Sequence, residues 1–389
     1  MDFQAVQDWK NDVVRRLDDN ILSALDANDV AYVEGTAWFE DASTLRVADD
    51  EGESTIEFGN AVIATGSEPM EIPGLEFDQD GVISSREVLQ IDEVPEELIV
   101  VGGGYIGMEA VTKFAKFGAT VKVVEARDRV LGMFEEEVVD SIQETSGMYN
   151  NEIYTGAQAT GVEYDDDGDP ILVIEQDGDE RRLSGKYVIV AAGRDTTAHR
   201  DRLRVENTDI ELTENGFIDT DEQMRTDDEN VFCVGDAAGE PFLAHVAYRQ
   251  GKVAAAAAAG GDDTFGEEHI PSVMYTDPEV AVVGLSEADA REAYEQVRVG
   301  RVPMATSGRA LSANKPAGYV KVVADGAGRL LGVQVVGARA SDTIAEATLA
   351  LELDATLEDI TSTIHAHPTF PEVLAEAAED ALGESIHSH

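Results

Sequence analysis

The sequence predicts an α/β protein with two nucleotide-binding, Rossmann-like domains and a C-terminal α+β domain. Three observations support this fold class. A glycine-rich turn lies between an apolar strand and a helix at residues 98–125, and two further apolar strands end on similar turns. From about residue 269 the pattern changes to strands joined by a hairpin turn and followed by helices. With 389 residues, the chain is long enough for two or three domains.

The strongest local motif reads LIVVGGGYIGMEAVTKFAKFGATVKVVE at residues 98–125, where Gly102, Gly104 and Gly107 have the spacing G-x-G-x-x-G. A strand precedes these glycines, a helix follows them, and the acid Glu125 ends the next strand. This context is typical of a dinucleotide-binding fingerprint: the glycines allow a tight turn, close approach of the pyrophosphate and close packing of helix on strand. The helix N-terminus supplies N–H groups for the phosphates.

The charges beside this motif indicate which nucleotide it prefers. Glu125 would bind a ribose diol and repel a 2′-phosphate, which favours NAD over NADP. Arg127 and Arg129 lie close by in the sequence and keep that preference moderate. The alternative is an ordinary glycine-rich turn in an α/β unit, which the correctly placed acid disfavours.

Two other strands close in a similar way, NAVIATGSEP at 60–69 and KYVIVAAGRD at 186–195. A third strand, NVFCVGDAAG at 230–239, places Asp236 after a glycine at its end. An acid there can accept hydrogen bonds from a ligand hydroxyl, although such a residue is more often part of a turn. This weak internal similarity suggests two related nucleotide-binding domains.

The composition is strongly acidic, with 79 acidic against 28 basic side chains and a formal net charge of −51. Nucleic-acid binding is therefore not expected, because it needs a basic footprint. Self-repulsion of this size is screened in roughly molar salt, where the Debye length is about 3 Å, so we expect a halophilic cytoplasm. No signal peptide or apolar membrane-spanning run is found, and no membrane association is expected.

Six stretches together resemble the class I pyridine nucleotide–disulfide oxidoreductases, most closely the dihydrolipoyl dehydrogenase and mercuric reductase branch. They are ATGSEPMEIPG, VVGGGYIGMEA, AAGR, NVFCVGDAAGEPFLAH, YTDPEVAVVG and HAHPTFPE, in the family's order and across nearly the whole chain. The resemblance implies a homodimeric flavoprotein that passes electrons between NAD(H), FAD and a disulfide substrate. Lipoamide ranks first because HAHPT is most similar to that branch, with mercuric ion or another disulfide left open. The lipoyl domain of a 2-oxoacid dehydrogenase complex is the implied partner.

The resemblance also assigns roles to individual residues. For FAD it implies contacts at Ala37, Thr65, Gly66, Asp236 (toward the ribityl chain), Ala244 and His245. For NAD it implies Gly102, Gly104, Tyr105, Gly107, Glu109, Glu125 and Gly193. Tyr105 matches an aromatic residue that covers the flavin face, and Glu109 a carboxylate near the nicotinamide. From the residues alone, Tyr105 could equally cap the helix start and Glu109 could be a solvated helix position. No metal site is expected.

The stretch HAHPTFPE at 365–372 combines two histidines with a glutamate. A histidine oriented by a carboxylate can act as a proton-transfer base. By the resemblance, His367 is the acid/base for thiol–disulfide exchange at the active site of the other subunit, and Glu372 orients it. The alternative is a capping box from Thr369 to Glu372 that opens the last helix, with His367 a loop residue. His365 is interpreted as neighbouring structure.

Family chains begin with a strand–G-x-G-x-x-G–helix unit for the ADP part of FAD and a helix carrying Cys-x4-Cys, and neither pattern occurs in this sequence. About 70–90 residues are therefore expected to be absent, the size of one βαβ unit and the redox helix. The single cysteine, Cys233, lies inside an apolar strand and is expected to be a buried, inert thiol. His367 then has no thiol partner in this chain, and we expect no lipoamide reductase activity from it.

Three interpretations remain open: an oxidoreductase whose sequence here lacks its N-terminal part, a naturally shortened NAD-binding dimeric paralogue with a binding or regulatory role, and a split enzyme completed by a second chain. The predicted domains are an incomplete FAD-binding domain at 1–96 and 216–268, an NAD-binding domain at 97–215 and a C-terminal dimerisation domain at 269–389. Without its first strand the FAD domain would keep unpaired strand edges, so the sequence leaves FAD binding open.

Overall fold

The computed structural model describes residues 2–146, 151–266 and 269–387. The predicted domain limits at residues 1, 268 and 389 lie outside the described residues. The helices are α1 (Phe3–Ala27), α2 (Tyr105–Phe117), α3 (Glu136–Ser146), α4 (Thr197–Leu203), α5 (Ala244–Ala258), α6 (Glu287–Ala293), α7 (Gly308–Ser312), α8 (Ala340–Glu352), α9 (Leu357–Ser362) and α10 (Glu372–Leu382).

The strands follow one another at short intervals along the chain. They are β1 (Thr36–Asp41), β2 (Thr44–Asp49), β3 (Gly52–Glu57), β4 (Ala61–Ile63), β5 (Glu68–Pro69), β6 (Val82–Ser84), β7 (Glu97–Val101), β8 (Thr120–Glu125), β9 (Asn151–Thr155), β10 (Ala157–Tyr164), β11 (Pro170–Gln176), β12 (Asp179–Ser184), β13 (Val188–Val190), β14 (Arg194–Asp195), β15 (Val231–Cys233), β16 (Ser272–Met274), β17 (Glu279–Gly284), β18 (Val297–Pro303), β19 (Tyr319–Asp325) and β20 (Leu330–Gly337). They fall into two units, the first at residues 1–70, 90–93 and 193–266, and the second at 71–89, 94–192 and 267–389.

The second unit contains a five-stranded parallel sheet in the order β6-β13-β7-β8-β9. Strands β7 and β8 are nearly continuous apolar runs and are buried, as expected for inner strands of a parallel sheet. Helix α2 follows β7 and ends at Phe117, because Gly118 adopts φ +101° and caps it. The predicted α/β unit around the fingerprint is therefore confirmed.

A small antiparallel sheet, β10-β11-β12, follows this parallel sheet in the same unit. Its inward side chains Leu172, Ile174 and Leu183 pack in one core with Val101 and Val190 of the parallel sheet. This shared core makes residues 157–184 an integral part of the fold built on the parallel sheet.

The C-terminal part of the second unit is a five-stranded antiparallel sheet in the order β16-β17-β20-β19-β18. Helices α8 and α10 pack against it and bury an aliphatic core. The β19–β20 hairpin turns where Asp325 accepts hydrogen bonds from the N–H groups of Ala327 and Arg329, both at 2.9 Å, and where Gly328 adopts φ +92°. The predicted α+β domain is confirmed.

A buried charge cluster joins these two parts of the second unit. Lys321 of β19 has a side chain only 3% exposed, and its Nζ contacts Glu137 and lies 2.7 Å from a Glu135 oxygen. Gln334 donates to Glu135 at 3.0 Å and accepts from the Tyr319 hydroxyl at 2.6 Å. Burial lowers the pKa of Lys321, but hydrogen bonds to Glu135 and Glu137 outweigh it and raise the pKa, so the lysine stays charged.

The first unit combines a three-stranded antiparallel sheet, β1-β2-β3, with the parallel pair β4–β15 and the short pair β5–β14. Its core includes Phe39, Ile63 and Val231. Helix α1 buries only Gln7, whose amide donates to the Ile91 carbonyl at 2.6 Å, and leaves several apolar side chains exposed. Within the described residues, no helix is both long and apolar enough to cross a membrane.

Candidate functional site

The fingerprint loop between β7 and α2 leaves no room for side chains at two of its glycines. Gly102 adopts φ +107°, and a Cβ there would lie 2.4 Å from the Ala191 carbonyl oxygen. A Cβ on Gly107 would lie 2.0 Å from the Gly102 carbonyl oxygen, so only glycine lets α2 approach β7 this closely. Gly104 differs: it is the N-cap of α2 with φ −76°, and a Cβ there would meet no atom within 4 Å in the described part of the chain. The loop therefore presents open space at an α2 N-terminus that no side chain caps.

Gly103, the middle glycine of the triplet, was not among the predicted site residues. A Cβ on it would lie 2.6 Å from Cγ1 of the buried Val130, and its carbonyl accepts from the Leu131 N–H at 2.7 Å. The segment after β8 thus packs directly on the loop. The run of three glycines in the sequence could have indicated that Gly103 is needed, but Val130, the residue that packs against it, lies outside the motif.

Glu125 lies at the end of β8 beside this loop, as predicted. Its carboxylate accepts hydrogen bonds from the Gly103 N–H at 2.7 Å and the Arg127 N–H at 2.8 Å, which fix its orientation. The Arg129 guanidinium donates to the carbonyls of Gly132 and Phe134, at 3.1 and 3.0 Å. Arg129 is therefore used within its own segment, while Glu125 lies where a ribose diol is expected.

Tyr105 and Glu109 lie one turn apart in α2, so the helix period places them on one face. The carboxylate of Glu109 accepts a hydrogen bond from the Tyr275 N–H at 2.8 Å. Burial raises the pKa of Glu109 above its ordinary value, and the Tyr275 hydrogen bond offsets part of this shift. Glu109 is thus neither a solvated helix position nor a free acid, because it ties α2 to the segment before β17.

Replacing Glu109 by glutamine should raise the thermal stability by an amount that grows with pH. A carboxyl group whose pKa is raised on folding stabilises the folded chain fully below its unfolded pKa, and loses that contribution as the pH rises through its folded pKa. Glutamine keeps an acceptor oxygen for Tyr275 and cannot ionise. Thermal unfolding of Glu109→Gln between about pH 5 and pH 8 tests this. The exposed Glu136→Gln is the matched control, and parallel pH profiles for wild type and Glu109→Gln would contradict it.

The residues assigned to FAD lie in the first unit, and the parallel pairing of β4 with β15 brings two of their segments together. Thr65 and Gly66 follow β4, and Asp236 follows β15 in the turn Gly235–Ala237. Gly66 adopts φ +68°, with open space where a Cβ would be. The Asp236 carboxylate accepts a hydrogen bond from the Ser67 hydroxyl, a residue that the sequence analysis did not single out.

The other residues assigned to this unit occupy separate elements. Ala37 is half-buried in β1, and Ala244 and His245 are the first, exposed residues of α5. Gly193, assigned to NAD, belongs to this unit. It is exposed with φ +152°, and its carbonyl accepts from the Met70 N–H at 3.1 Å. The roles of these four residues stay predictions.

The histidine of the C-terminal motif is oriented by the predicted acid. His367 Nδ1 lies 2.7 Å from Glu372 Oε1, and the second oxygen of Glu372 accepts from the Thr369 N–H at 2.5 Å. The His367 side chain is 77% exposed, whereas that of Glu372 is 18% exposed. One carboxylate therefore accepts from the backbone before α10 and orients the imidazole. The alternative capping box does not form, because α10 begins at Glu372 itself and its N-cap residue makes no side-chain hydrogen bond. His365 is instead bonded to Glu346 at 2.7 Å within the fold.

Cys233 is fully buried in β15, and burial raises the pKa of its thiol to about 12. We expect the native chain to react with a water-soluble disulfide reagent at least about a hundredfold more slowly than the unfolded chain, because the thiolate is the nucleophile. Thiol titration at pH 8 with and without denaturant checks this. Equal rates in both conditions would show that the thiol is accessible.

Comparison with known proteins shows the family of this chain. Residues 3–251 match the family described as pyridine nucleotide-disulphide oxidoreductase, and residues 270–378 match the dimerisation domain of that family. The chain belongs to the pyridine nucleotide-disulphide oxidoreductase family.

Curated relatives match over the full length of the chain. A dihydrolipoyl dehydrogenase of Haloferax volcanii is 44% identical over 393 residues, covering 100% of this chain and 82% of the relative. A second one, from Haloarcula marismortui, is 43% identical with 100% and 83% coverage. The dihydrolipoyl dehydrogenase of Geobacillus stearothermophilus is 41% identical over 388 residues, with 100% and 82% coverage. The similarity therefore extends beyond the haloarchaeal proteins.

Solved structures show the same fold. The HOCl-induced flavoprotein disulfide reductase RclA from Escherichia coli, as a Cu(II) complex of its C43S mutant, superposes with a TM-score of 0.90 at 24% identity, covering 97% of this chain and 85% of that one. LpdA from Mycobacterium tuberculosis gives a TM-score of 0.89 at 23% identity, with 97% and 83% coverage. At these identities the likeness establishes the architecture.

Membership in this family implies FAD and NAD(H) as cofactors, and the chain's residues fit both. The open space at Gly104, the uncapped α2 N-terminus and the oriented Glu125 suit a nucleotide pyrophosphate and ribose. In the first unit, Asp236 offers a carboxylate oxygen, Oδ1, that has no partner among the described residues. Among those residues there is also no group of acidic, histidine or cysteine side chains that could hold a metal ion.

Proposed function

We propose that this chain is a dihydrolipoyl dehydrogenase-like flavoprotein oxidoreductase, of the kind that passes electrons between NAD(H), FAD and a disulfide substrate, with lipoamide first among substrates. The sequence contains one cysteine and so has no redox cysteine pair of its own. The observation that carries this proposal is the held His367–Glu372 pair in a chain that matches dihydrolipoyl dehydrogenases over its whole length. A structural loop histidine would not need a half-buried carboxylate on its ring nitrogen.

In this proposal, the second unit binds the nicotinamide nucleotide. The N–H groups at the start of α2 bind the pyrophosphate, with Gly104 keeping that space open, and Glu125 accepts hydrogen bonds from the ribose diol. A 2′-phosphate would face this carboxylate, while Arg129 is engaged with Gly132 and Phe134, so NAD is preferred over NADP.

His367 has the role of proton carrier for the disulfide substrate. Glu372 holds Nδ1, so Nε2 is the nitrogen that exchanges a proton with a sulfur atom, and the carboxylate stabilises the charged imidazolium. When bound, FAD supplies the two-electron step between the nicotinamide and the disulfide. Asp236 is the residue that accepts a hydrogen bond from its ribityl chain.

The assembly we propose is a homodimer in which residues 270–378, the match to the family's dimerisation domain, form the interface. The lipoyl domain of a 2-oxoacid dehydrogenase complex is the proposed partner, by analogy with the named relatives. The net charge of −51 and the similarity to haloarchaeal proteins support a halophilic cytoplasm as its location.

Steady-state assays of the 389-residue chain in multimolar KCl, with added FAD, test this function. We expect NADH-dependent reduction of a two-electron dye and no reduction of lipoamide, because the one cysteine of this sequence is buried. Failure to reduce the dye would leave an NAD-binding dimer with a regulatory role as the better account. Sustained lipoamide reduction by this polypeptide alone would contradict the inert role of Cys233.

A further inference from the structure

A three-residue polar cluster surrounds the carboxylate assigned to the flavin ribityl chain. Asp236 Oδ2 accepts from the Ser67 hydroxyl and lies 3.6 Å from Arg194 Nε. The guanidinium of Arg194 makes two hydrogen bonds to Ser67, from Nε to the hydroxyl at 2.5 Å and from Nη2 to the carbonyl at 2.6 Å. Neither Ser67 nor Arg194 was predicted as a site residue, and both lie outside the fingerprint motif.

The sheet pairings of the first unit assemble this cluster from three distant segments. Parallel pairing of β4 with β15 places the segments after both strands, which contain Ser67 and Asp236, at the same sheet edge. Antiparallel pairing of β5 with β14 sets Arg194 opposite Pro69, two residues after Ser67. The cluster therefore depends on the backbone fold and is formed by the chain itself.

The arginine determines how the carboxylate is held. Its side chain is 25% exposed and that of Asp236 is 20% exposed, so the ion pair is shielded from much of the salt in the solvent. The two-pronged contact fixes both the backbone and the hydroxyl rotamer of Ser67, since guanidinium is a rigid, planar donor. The hydroxyl then donates to Asp236 Oδ2. The second oxygen, Oδ1, is left without a partner in the described part of the chain.

We propose that Arg194 is a positioning residue that, through Ser67, orients the Asp236 carboxylate so that Oδ1 accepts a hydrogen bond from a ribityl hydroxyl of FAD. This inference rests on the proposed function, because it needs FAD as the ligand. A purely structural role, in which Arg194 only joins β14 to the loop after β4, is the alternative that the experiment separates.

The experiment is a titration of the apo form of the full chain with FAD, followed by quenching of flavin fluorescence, in multimolar KCl. Arg194→Gln should weaken FAD binding by about 10- to 100-fold, and Ser67→Ala by about tenfold, since each loses hydrogen bonds to a charged group. The FAD affinity of Arg194→Lys should lie between those of wild type and Arg194→Gln, because lysine keeps the positive charge but lacks the two parallel N–H donors of the guanidinium. The matched control is Arg202→Gln, an arginine 58% exposed and paired with Glu68 in the same unit, which should bind within about twofold of wild type.

A double-mutant cycle with Asp236→Ala tests whether Arg194 affects FAD binding through the Asp236 carboxylate. In the Asp236→Ala background, Arg194→Gln should weaken FAD binding by no more than about a further twofold, because its action requires the carboxylate. If the losses of FAD affinity in Arg194→Gln and Asp236→Ala add up in the double variant, the proposal is overturned. It is also overturned if Arg194→Gln binds FAD as tightly as wild type while its apo form is less stable. If Arg194→Gln does not fold, Ser67→Ala decides, and wild-type FAD affinity in that variant overturns the proposal. A wild-type chain that takes up no FAD overturns the proposed function itself, and this inference with it.

Discussion

Replacing Gly107 by alanine is expected to abolish detectable NADH binding and to lower the free energy of unfolding by about 1–3 kcal/mol, as for overpacking against fixed backbone. The added Cβ would lie 2.0 Å from the Gly102 carbonyl oxygen and 3.2 Å from Val100 Cγ1, so α2 must move away from β7. That movement displaces the helix N-terminus on which the pyrophosphate depends. Titration with NADH and denaturant unfolding of Gly107→Ala measure the two effects.

Gly104→Ala is the matched variant on the same loop. Its backbone, at φ −76°, accepts alanine, and the new methyl group meets no atom of the described residues within 4 Å. We expect unchanged thermal stability and NADH affinity weakened by about tenfold or more, because the methyl group occupies space assigned to the pyrophosphate. If both variants bind NADH as tightly as wild type, the glycine loop is not part of the NADH-binding site.

Lys321→Met is expected to destabilise the folded chain by about 3 kcal/mol, because it leaves Glu135 without its buried cation and Glu137 with Arg301 as its remaining partner. Since the Lys321 side chain is 3% exposed, screening by salt is weak and the effect should persist in multimolar KCl. Denaturant unfolding at several KCl concentrations measures it. Lys321 also joins the two parts of the second unit, so the loss should appear in the unfolding of both.

The matched control for this prediction is Lys315→Met. Lys315 also pairs with a carboxylate, Asp277, but its side chain is 49% exposed, so we expect a loss of about 1 kcal/mol or less. If both substitutions lower the free energy of unfolding by the same amount, burial does not make the Lys321 ion pairs more stabilising than the exposed pair of Lys315.

Local sequence patterns predicted the fingerprint well because its parts lie within 28 residues of one another. Strand, glycine turn, helix and terminal acid each follow from short-range chemistry, and β7, α2 and β8 occur where that pattern places them. The contact of Glu109 could not be predicted from the sequence, because its partner Tyr275 lies 166 residues away and no periodicity in α2 indicates it.

The remaining site features depend on contacts between distant segments. Lys321 stands inside an apolar strand, YVKVV, where its partner Glu137 is 184 residues away. Arg194 and Ser67 meet Asp236 only through strand pairing. At Glu372 the sequence allowed either a helix cap or a partner for His367. In the structure α10 begins at Glu372, so the capping box does not form. One Glu372 oxygen lies against His367 Nδ1 and the other accepts from the Thr369 N–H, an outcome that residue spacing alone could not select.

We propose that this chain transfers electrons from NADH to bound FAD. The most direct test is the visible absorption spectrum of the purified chain in multimolar KCl, recorded after incubation with FAD and removal of the excess, then again after anaerobic addition of NADH. We predict a stoichiometric oxidised-flavin band that NADH bleaches. A folded chain that retains no flavin, or a flavin band that NADH leaves unchanged, would show that the chain does not carry electrons from NADH to FAD.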